Sequence, residues 1–367
     1  MRDATLVTTN DALSAAVFRL QGATRLALDT EFMRESTYSP QLCLVQVASD
    51  ADCYLVDPLA GLDLGPLHAV LADRARPKIL HAARQDLEAL LNASGGVPGP
   101  VFDTQVAAAL LGLPPQVGYA ELVARQLGHS IDKGQTRTDW SRRPLTDAQL
   151  AYAADDVHHL LQLHADLAAA LEARGRAHWH VGECASLEEP GLYRTEPTDA
   201  WRRLKGIGRL KPAEQAVARA LAGWREQRAV AADKPRGWIL TDEALYALAT
   251  LAPATTTDLE QVRALPPSVI RKRGDELLEL VRAARESADE GGPQPATQQR
   301  PTPEQTRRIG ALQQRVRDVA ASLEISPEIL ATRRDVEGMV LGSPDHSALL
   351  RGWRREVIGT QLLELLQ

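Results

Sequence analysis

The chain has 367 residues, 44% hydrophobic and 25% charged, with a formal net charge of −6. This length exceeds one ordinary core and predicts two or three domains, while the composition excludes collagen-like and globally disordered chains. Met1 to Asp11 lack a basic segment followed by an apolar stretch, and no run approaches the roughly 18 apolar residues of a membrane span, so the expectation is a cytoplasmic protein with no membrane contact.

In chain order, short β-rich runs come first: Leu26 to Asp29, Leu42 to Val47, Cys53 to Val56 and Lys78 to His81. The gaps between the first three are too short for helices, which predicts an antiparallel meander. The fourth run follows a helical stretch around Leu67 to Asp73, and together they predict an α/β sheet. Helical patterns then dominate: Arg84 to Asn92, Thr104 to Gly112, Tyr119 to Leu127, and one long helix from about Asp147 to Arg174. Thr146 followed three residues later by Gln149 is a capping-box pattern and marks the start of that long helix. Cys43, Cys53 and Cys184 are odd in number and not spaced as metal-binding pairs, so they are expected as reduced thiols.

Gly182, Pro190, Gly191 and Pro197 separate this region from an all-helical one with Trp201, Leu204, Trp224, Leu245 and Leu248 as candidate core. The predicted divisions are 1–196, 197–288, a linker at 289–303 poor in core-forming side chains, and 304–367, which again reads as short helices. Between Asp199 and Leu240 ten basic residues, Arg202 and Arg203 among them, face four acidic ones, so a locally basic surface sits within an acidic chain.

Asp29 and Glu31 lie two apart in a predicted strand, so both carboxylates emerge on one face. Two carboxylates pointing together repel, which calls for a shared proton or a hard cation such as Mg²⁺ or Mn²⁺. Asp86 opens a helix directly after a strand, where an acid also suits the helix N-terminus without further purpose. Tyr152 and Asp156 stand four apart on the long helix and share a face.

The order Asp29-Thr-Glu31, His81-Ala-Ala-Arg-Gln-Asp86, Tyr152-Ala-Ala-Asp-Asp156 resembles the DEDD exonuclease superfamily, tyrosine subclass, and within it the ribonuclease D family. Supporting stretches are Asp29 to Arg34, Tyr38 to Gln46 and Asp132 to Leu145. Leu204-Lys-Gly, Trp224-Arg-Glu and Pro235 to Leu240 look like a first HRDC domain, and Pro327 to Arg333 with Leu350 to Trp353 like a second. The resemblance implies a ribonuclease H-like mixed sheet flanked by helices at 1–196, followed by two small all-α HRDC-type domains. It implies a 3′→5′ exoribonuclease that trims 3′ extensions, notably of transfer RNA precursors, to nucleoside 5′-monophosphates. Asp29, Glu31 and Asp156 would hold one divalent ion and Asp29 and Asp86 a second, with Tyr152 orienting the attacking water.

Lys133, Arg137, Arg142 and Arg143 surround Trp140, a mixture suited to phosphate neutralisation and base stacking. Phe32 is expected to wedge against the terminal base and Gln46 to hydrogen-bond it, with Arg202 and Arg203 gripping phosphates. No obligate protein partner is evident. A DNA 3′→5′ exonuclease would use the same acids, and a catalytically inactive RNA-binding scaffold would share the fold. The attached helical pair disfavours the first, and the presence of every carboxylate with Tyr152 disfavours the second.

Overall fold

A computed structural model describes residues 4–131, 134–135, 138–262, 264–289, 301–342 and 347–366. The chain forms two compact units, one built from Met1–Met33, Gln41–Pro190 and Pro301–Gln367, the other from Arg34–Pro40 and Gly191–Arg300.

The first unit is built on a six-stranded sheet of β1 (Thr5–Val7), β2 (Leu26–Met33), β3 (Gln41–Ala48), β4 (Cys53–Val56), β5 (Lys78–Leu80) and β6 (Val101–Asp103), in the order β1-β4-β3-β2-β5-β6. The antiparallel β2-β3-β4 meander is present as the short gaps require, and the other three strands run parallel to their neighbours. The strands β1 and β6 have three residues each, too few to display a period of two, and their pairing comes from the sheet rather than from local pattern. Along β3 the run Leu42 to Ala48 is continuously buried, since both faces of this strand are covered. All three cysteines are buried and unbridged.

Around the sheet lie α1 (Asn10–Leu20), α2 (Gly65–Ala72), α3 (Arg84–Ser94), α4 (Thr104–Leu110), α5 (Tyr119–Leu127), α6 (Asp147–His158), α7 (Leu160–Ala173) and α8 (Ala177–Leu187). The capping box of Thr146 and Gln149 opens α6 as expected. The single long helix does not form, because it breaks at His159. The Tyr119 hydroxyl donates to the Asp155 carbonyl at 3.2 Å and accepts from the His159 amide at 3.3 Å. In an unbroken helix that amide would bond that carbonyl directly, so the phenol is a wedge in the ladder.

The second unit is helical: α9 (Pro212–Ala232), α10 (Arg236–Ile239), α11 (Asp242–Leu251), α12 (Thr256–Glu260) and α13 (Pro267–Asp289). Its core gathers Leu204, Val217, Leu221, Trp224, Leu245, Leu248 and Leu277. Several basic residues of the Asp199 to Leu240 window are occupied internally. Arg225 bonds the Leu240 carbonyl at 3.0 Å and Asp242 at 2.6 Å, and Arg236 bonds Glu226 at 2.5 Å.

The last helices are α14 (Pro303–Ser322), α15 (Pro327–Leu330), α16 (Arg333–Leu341), α17 (Gly352–Arg354) and α18 (Thr360–Glu364). They are not a separate module, contrary to the division expected at 304. Ile309, Leu312, Val316 and Trp353 share one core with Leu163, Leu167, Leu171 and Trp179 of the nuclease helices. The Trp179 and Trp353 rings stack 4.7 Å apart at 12°, and Arg354 pairs with Glu183. Buried Arg176 bonds the Leu110 and Leu323 carbonyls at 2.6 Å each. Gly112 at φ +98° approaches so closely that an added Cβ would clash with the Glu324 carbonyl oxygen. Among the described residues no helix is long and apolar enough to cross a membrane.

Candidate active site

The side chains of β2 alternate, so Asp29 and Glu31 leave one face while Thr30 leaves the other. Asp156 arrives from the middle of α6, and one carboxylate oxygen from each of Asp29, Glu31 and Asp156 lies within 4.8 Å of the others. Asp86, in the first turn of α3 and 7% exposed, accepts a hydrogen bond from the Thr30 hydroxyl at 2.6 Å. Asp86 stands beside the tight set of three rather than within it, and its charge reaches Asp29, Glu31 and Asp156.

Crowding and burial act in the same direction on all four acids. Burial, then the charges of Asp86, Asp156 and Glu31, hold the Asp29 carboxyl well above the usual range. Glu31 is pushed up to about 9 by burial and the charges of Asp156 and Asp86. Burial raises Asp86 to about 7 against the opposing Thr30 bond, and raises Asp156 to about 7 against a hydrogen bond from Tyr152. Four acids so held either keep protons or share a cation. An all-oxygen donor set of carboxylates is suited to a hard divalent ion, whose charge would reverse the penalty.

Tyr152 is half-buried one turn before Asp156, and its ring lies 6.1 Å from that of Trp140. The sequence therefore placed Asp29, Glu31, Tyr152 and Asp156 in one neighbourhood, with Asp86 adjoining it. Asp155 takes part through its backbone, as the acceptor for Tyr119.

Two expected substrate contacts are corrected. Trp140 is 2% exposed and packs with Cys43, Leu44, Leu55 and Ala153, leaving no ring face for a base. Gln46 pairs with Asp29 across the sheet and is fully buried, so its amide is not at a surface an incoming base can reach. Phe32 is half-buried at a slip in the β2–β3 register between Glu31 and itself, the kind of irregularity that re-aims a side chain. Arg143 is committed to Asp57 at 2.6 Å and to the Cys43 carbonyl at 2.7 Å, and Arg142 to Asp139 at 3.1 Å. Lys133 and Arg137 lie outside the described residues. Arg202 and Arg203 are exposed in the second unit, Arg202 paired with Asp199 at 2.7 Å and lying over the Trp201 ring.

Sequence reasoning missed Thr30 and Tyr119. Thr30 is flanked by the two acids, and only its alternation to the opposite face hinted at a different partner. Tyr119 sits 36 residues before Asp155, and no local pattern announces its reach.

The 3′-5′ exonuclease family matches residues 4–172, and the HRDC domain matches residues 214–281. The ribonuclease D of Acidiphilium cryptum is 39% identical over 366 residues, covering 98% of this chain and 92% of that protein. The ribonuclease D of Escherichia coli is 35% identical over 368 residues, covering 99% of this chain and 98% of that one. The crystal structure of Escherichia coli RNase D, an exoribonuclease involved in structured RNA processing, superposes with a TM-score of 0.92 at 35% identity, covering 100% of this chain and 99% of that one. The catalytic core of RRP6 from Trypanosoma brucei is similar over 78% of this chain and 81% of that one, with a TM-score of 0.60 and 25% identity.

Proposed function

Since the chain belongs to the ribonuclease D family and is a 3′→5′ exoribonuclease, we propose that it trims 3′ extensions from structured RNAs, transfer RNA precursors among them, by two-metal-ion hydrolysis to nucleoside 5′-monophosphates. The observation that carries this reading is the convergence of Asp29, Glu31 and Asp156 within 4.8 Å, with Asp86 at their side. Asp29, Glu31 and Asp156 would hold one ion, and Asp29 with Asp86 the other. Two divalent ions, Mg²⁺ or Mn²⁺, supply water activation and stabilisation of the leaving 3′ oxygen when bound.

The chain's own groups do the positioning. The Tyr152 hydroxyl orients the attacking water. Phe32 near the end of the acid-bearing strand packs against the terminal base, and Lys133 and Arg137 neutralise RNA phosphates. Exposed Arg202 and Arg203 grip backbone phosphates of the folded part of the RNA, where shape rather than base sequence is read. The structured-RNA role of the Escherichia coli relative supports the choice of substrate.

The test compares a 3′-extended transfer RNA precursor with a matched single-stranded DNA, each with Mg²⁺, with EDTA and with Asp156→Ala. Mononucleotide release from the RNA that needs Mg²⁺ and is lost in the variant is expected. Release that survives EDTA would overturn the metal mechanism, and equal losses for Asp155→Ala and Asp156→Ala would remove the special role of Asp156.

A further inference from the structure

Ala82 joins β5 to α3 in a left-handed conformation, φ +56°, which residues bearing a Cβ adopt sparingly. Something must hold it there. Its amide donates to Oδ1 of Asp103 at 3.0 Å, and the next amide, of Ala83, donates to Oδ2 at 2.9 Å. The same carboxylate, 3% exposed, also caps α4 by accepting from Gln105 at 2.8 Å and Val106 at 3.4 Å. Four backbone donors from two separate elements converge on one side chain.

The neighbouring residue extends the clamp. The Thr104 hydroxyl donates to the Leu80 carbonyl at 3.0 Å and lies 2.9 Å from Nδ1 of His81, whose Nε2 is 3.0 Å from the Val117 carbonyl. Each residue from Leu80 to Ala83 is therefore tied to the β6–α4 junction. Capping α4 alone would need only one side-chain oxygen, which a serine can supply. The second oxygen, and the two amides of the Ala82 turn, serve a different end. Ala83 is the N-cap of α3, and Asp86 stands three residues further on. A relaxed, right-handed Ala82 would swing α3 and carry the Asp86 carboxylate away from Asp29.

We propose that Asp103 is a positioning residue for Asp86: it pins the left-handed Ala82 turn and so sets where the second metal-binding carboxylate stands. This rests on the metal role of Asp86 proposed above. A group two elements removed from the chemistry matters here because such sites tolerate misplacements of only about 0.5 Å.

The experiment is calorimetric titration of Mn²⁺ into the full chain without RNA, so that binding is read apart from turnover. Asp103→Asn, which presents an N–H₂ group to one of the two amides, is expected to weaken Mn²⁺ binding about 10-fold. Asp103→Ser, which keeps an oxygen for the α4 cap, is expected to weaken it equally and guards against a variant that fails to fold. Adding Ala82→Gly to either variant should recover about threefold or more, since glycine takes the left-handed conformation without steric cost. Wild-type Mn²⁺ affinity in both Asp103 variants, or no recovery with Ala82→Gly, would overturn the proposal. Mn²⁺ binding that is unchanged by Asp86→Asn would instead overturn the metal role of Asp86 itself.

Discussion

The Thr30 hydroxyl donates a 2.6 Å hydrogen bond to Oδ1 of Asp86, joining residues 56 apart in the chain. The bond runs from the strand that carries Asp29 and Glu31 to the helix that carries Asp86. It favours the ionised carboxylate against the effect of burial. Thr30→Val removes it while keeping the volume, so Asp86 should hold its proton to higher pH than the present value of about 7. The acid limb of the pH–rate profile is expected to move upward, with the loss greatest near pH 6 and shrinking as pH or Mg²⁺ concentration rises. An unmoved limb would show that Asp86 ionisation does not govern the rate.

The raised carboxylates predict how stability depends on pH without metal. In the unfolded chain these acids ionise near pH 4, whereas in the fold Asp86 and Asp156 do so at about 7 and Glu31 at about 9. Between those limits the folded chain binds more protons than the unfolded one, so its stability falls as pH rises. In EDTA, Tm is expected to fall across this window, less steeply in Glu31→Gln, and the gain in Tm from Mg²⁺ should grow with pH as proton competition fades. Thermal melting with and without Mg²⁺ checks both, and equal pH slopes for wild type and Glu31→Gln would contradict the assignment.

Tyr119 interrupts the helix ladder at the Asp155 carbonyl, one residue before Asp156 and four before the break at His159. Tyr119→Phe deletes the wedge and allows the Asp155 carbonyl and His159 amide to bond directly. The expected result is a loss of about 10-fold or more in kcat, since displacements near 1 Å at a site of this kind cost about 100-fold. Tm should change little, because one buried hydrogen-bonding arrangement replaces another. Unaltered kcat would show that the break does not place Asp156.

Helices α14 to α18 complete the nuclease core instead of standing apart from it. Trp353→Ala removes the stacked partner of Trp179 and the donor to Glu183 at 2.8 Å. It should cost about 3–5 kcal/mol in denaturant unfolding. Deleting residues 301–367 should bare Leu163, Leu167, Leu171 and Trp179 and give an aggregating protein. A truncated chain that melts like the wild type would show the C-terminal helices to be dispensable for the fold.

Of the site, spacing made two pairs legible, Asp29 with Glu31 and Tyr152 with Asp156, because a strand repeats every two residues and a helix nearly every four, and a capping box set the register of α6; that the pairs meet came from resemblance. Asp86 was legible only through resemblance, since an acid in a first helical turn has a sufficient local reason to be there. Trp140 and Gln46 were misread for a physical cause. A tryptophan among arginines reads alike whether it faces solvent or core, and a glutamine on a strand does not announce which of its neighbours cover it.

The sequence by itself determined the meander, the shared face of Asp29 and Glu31, that of Tyr152 and Asp156, and the helical second unit, all properties carried by periodicity, spacing and short capping signals. Only the tertiary structure decided that Thr30 holds Asp86, that Tyr119 breaks the long helix, that Asp103 pins the turn at Ala82, and that the C-terminal helices belong to the nuclease. Each of these is a hydrogen bond or packed face between segments remote in the chain. Such pairings carry no local pattern, because each partner meets its own short-range rules equally well without the other.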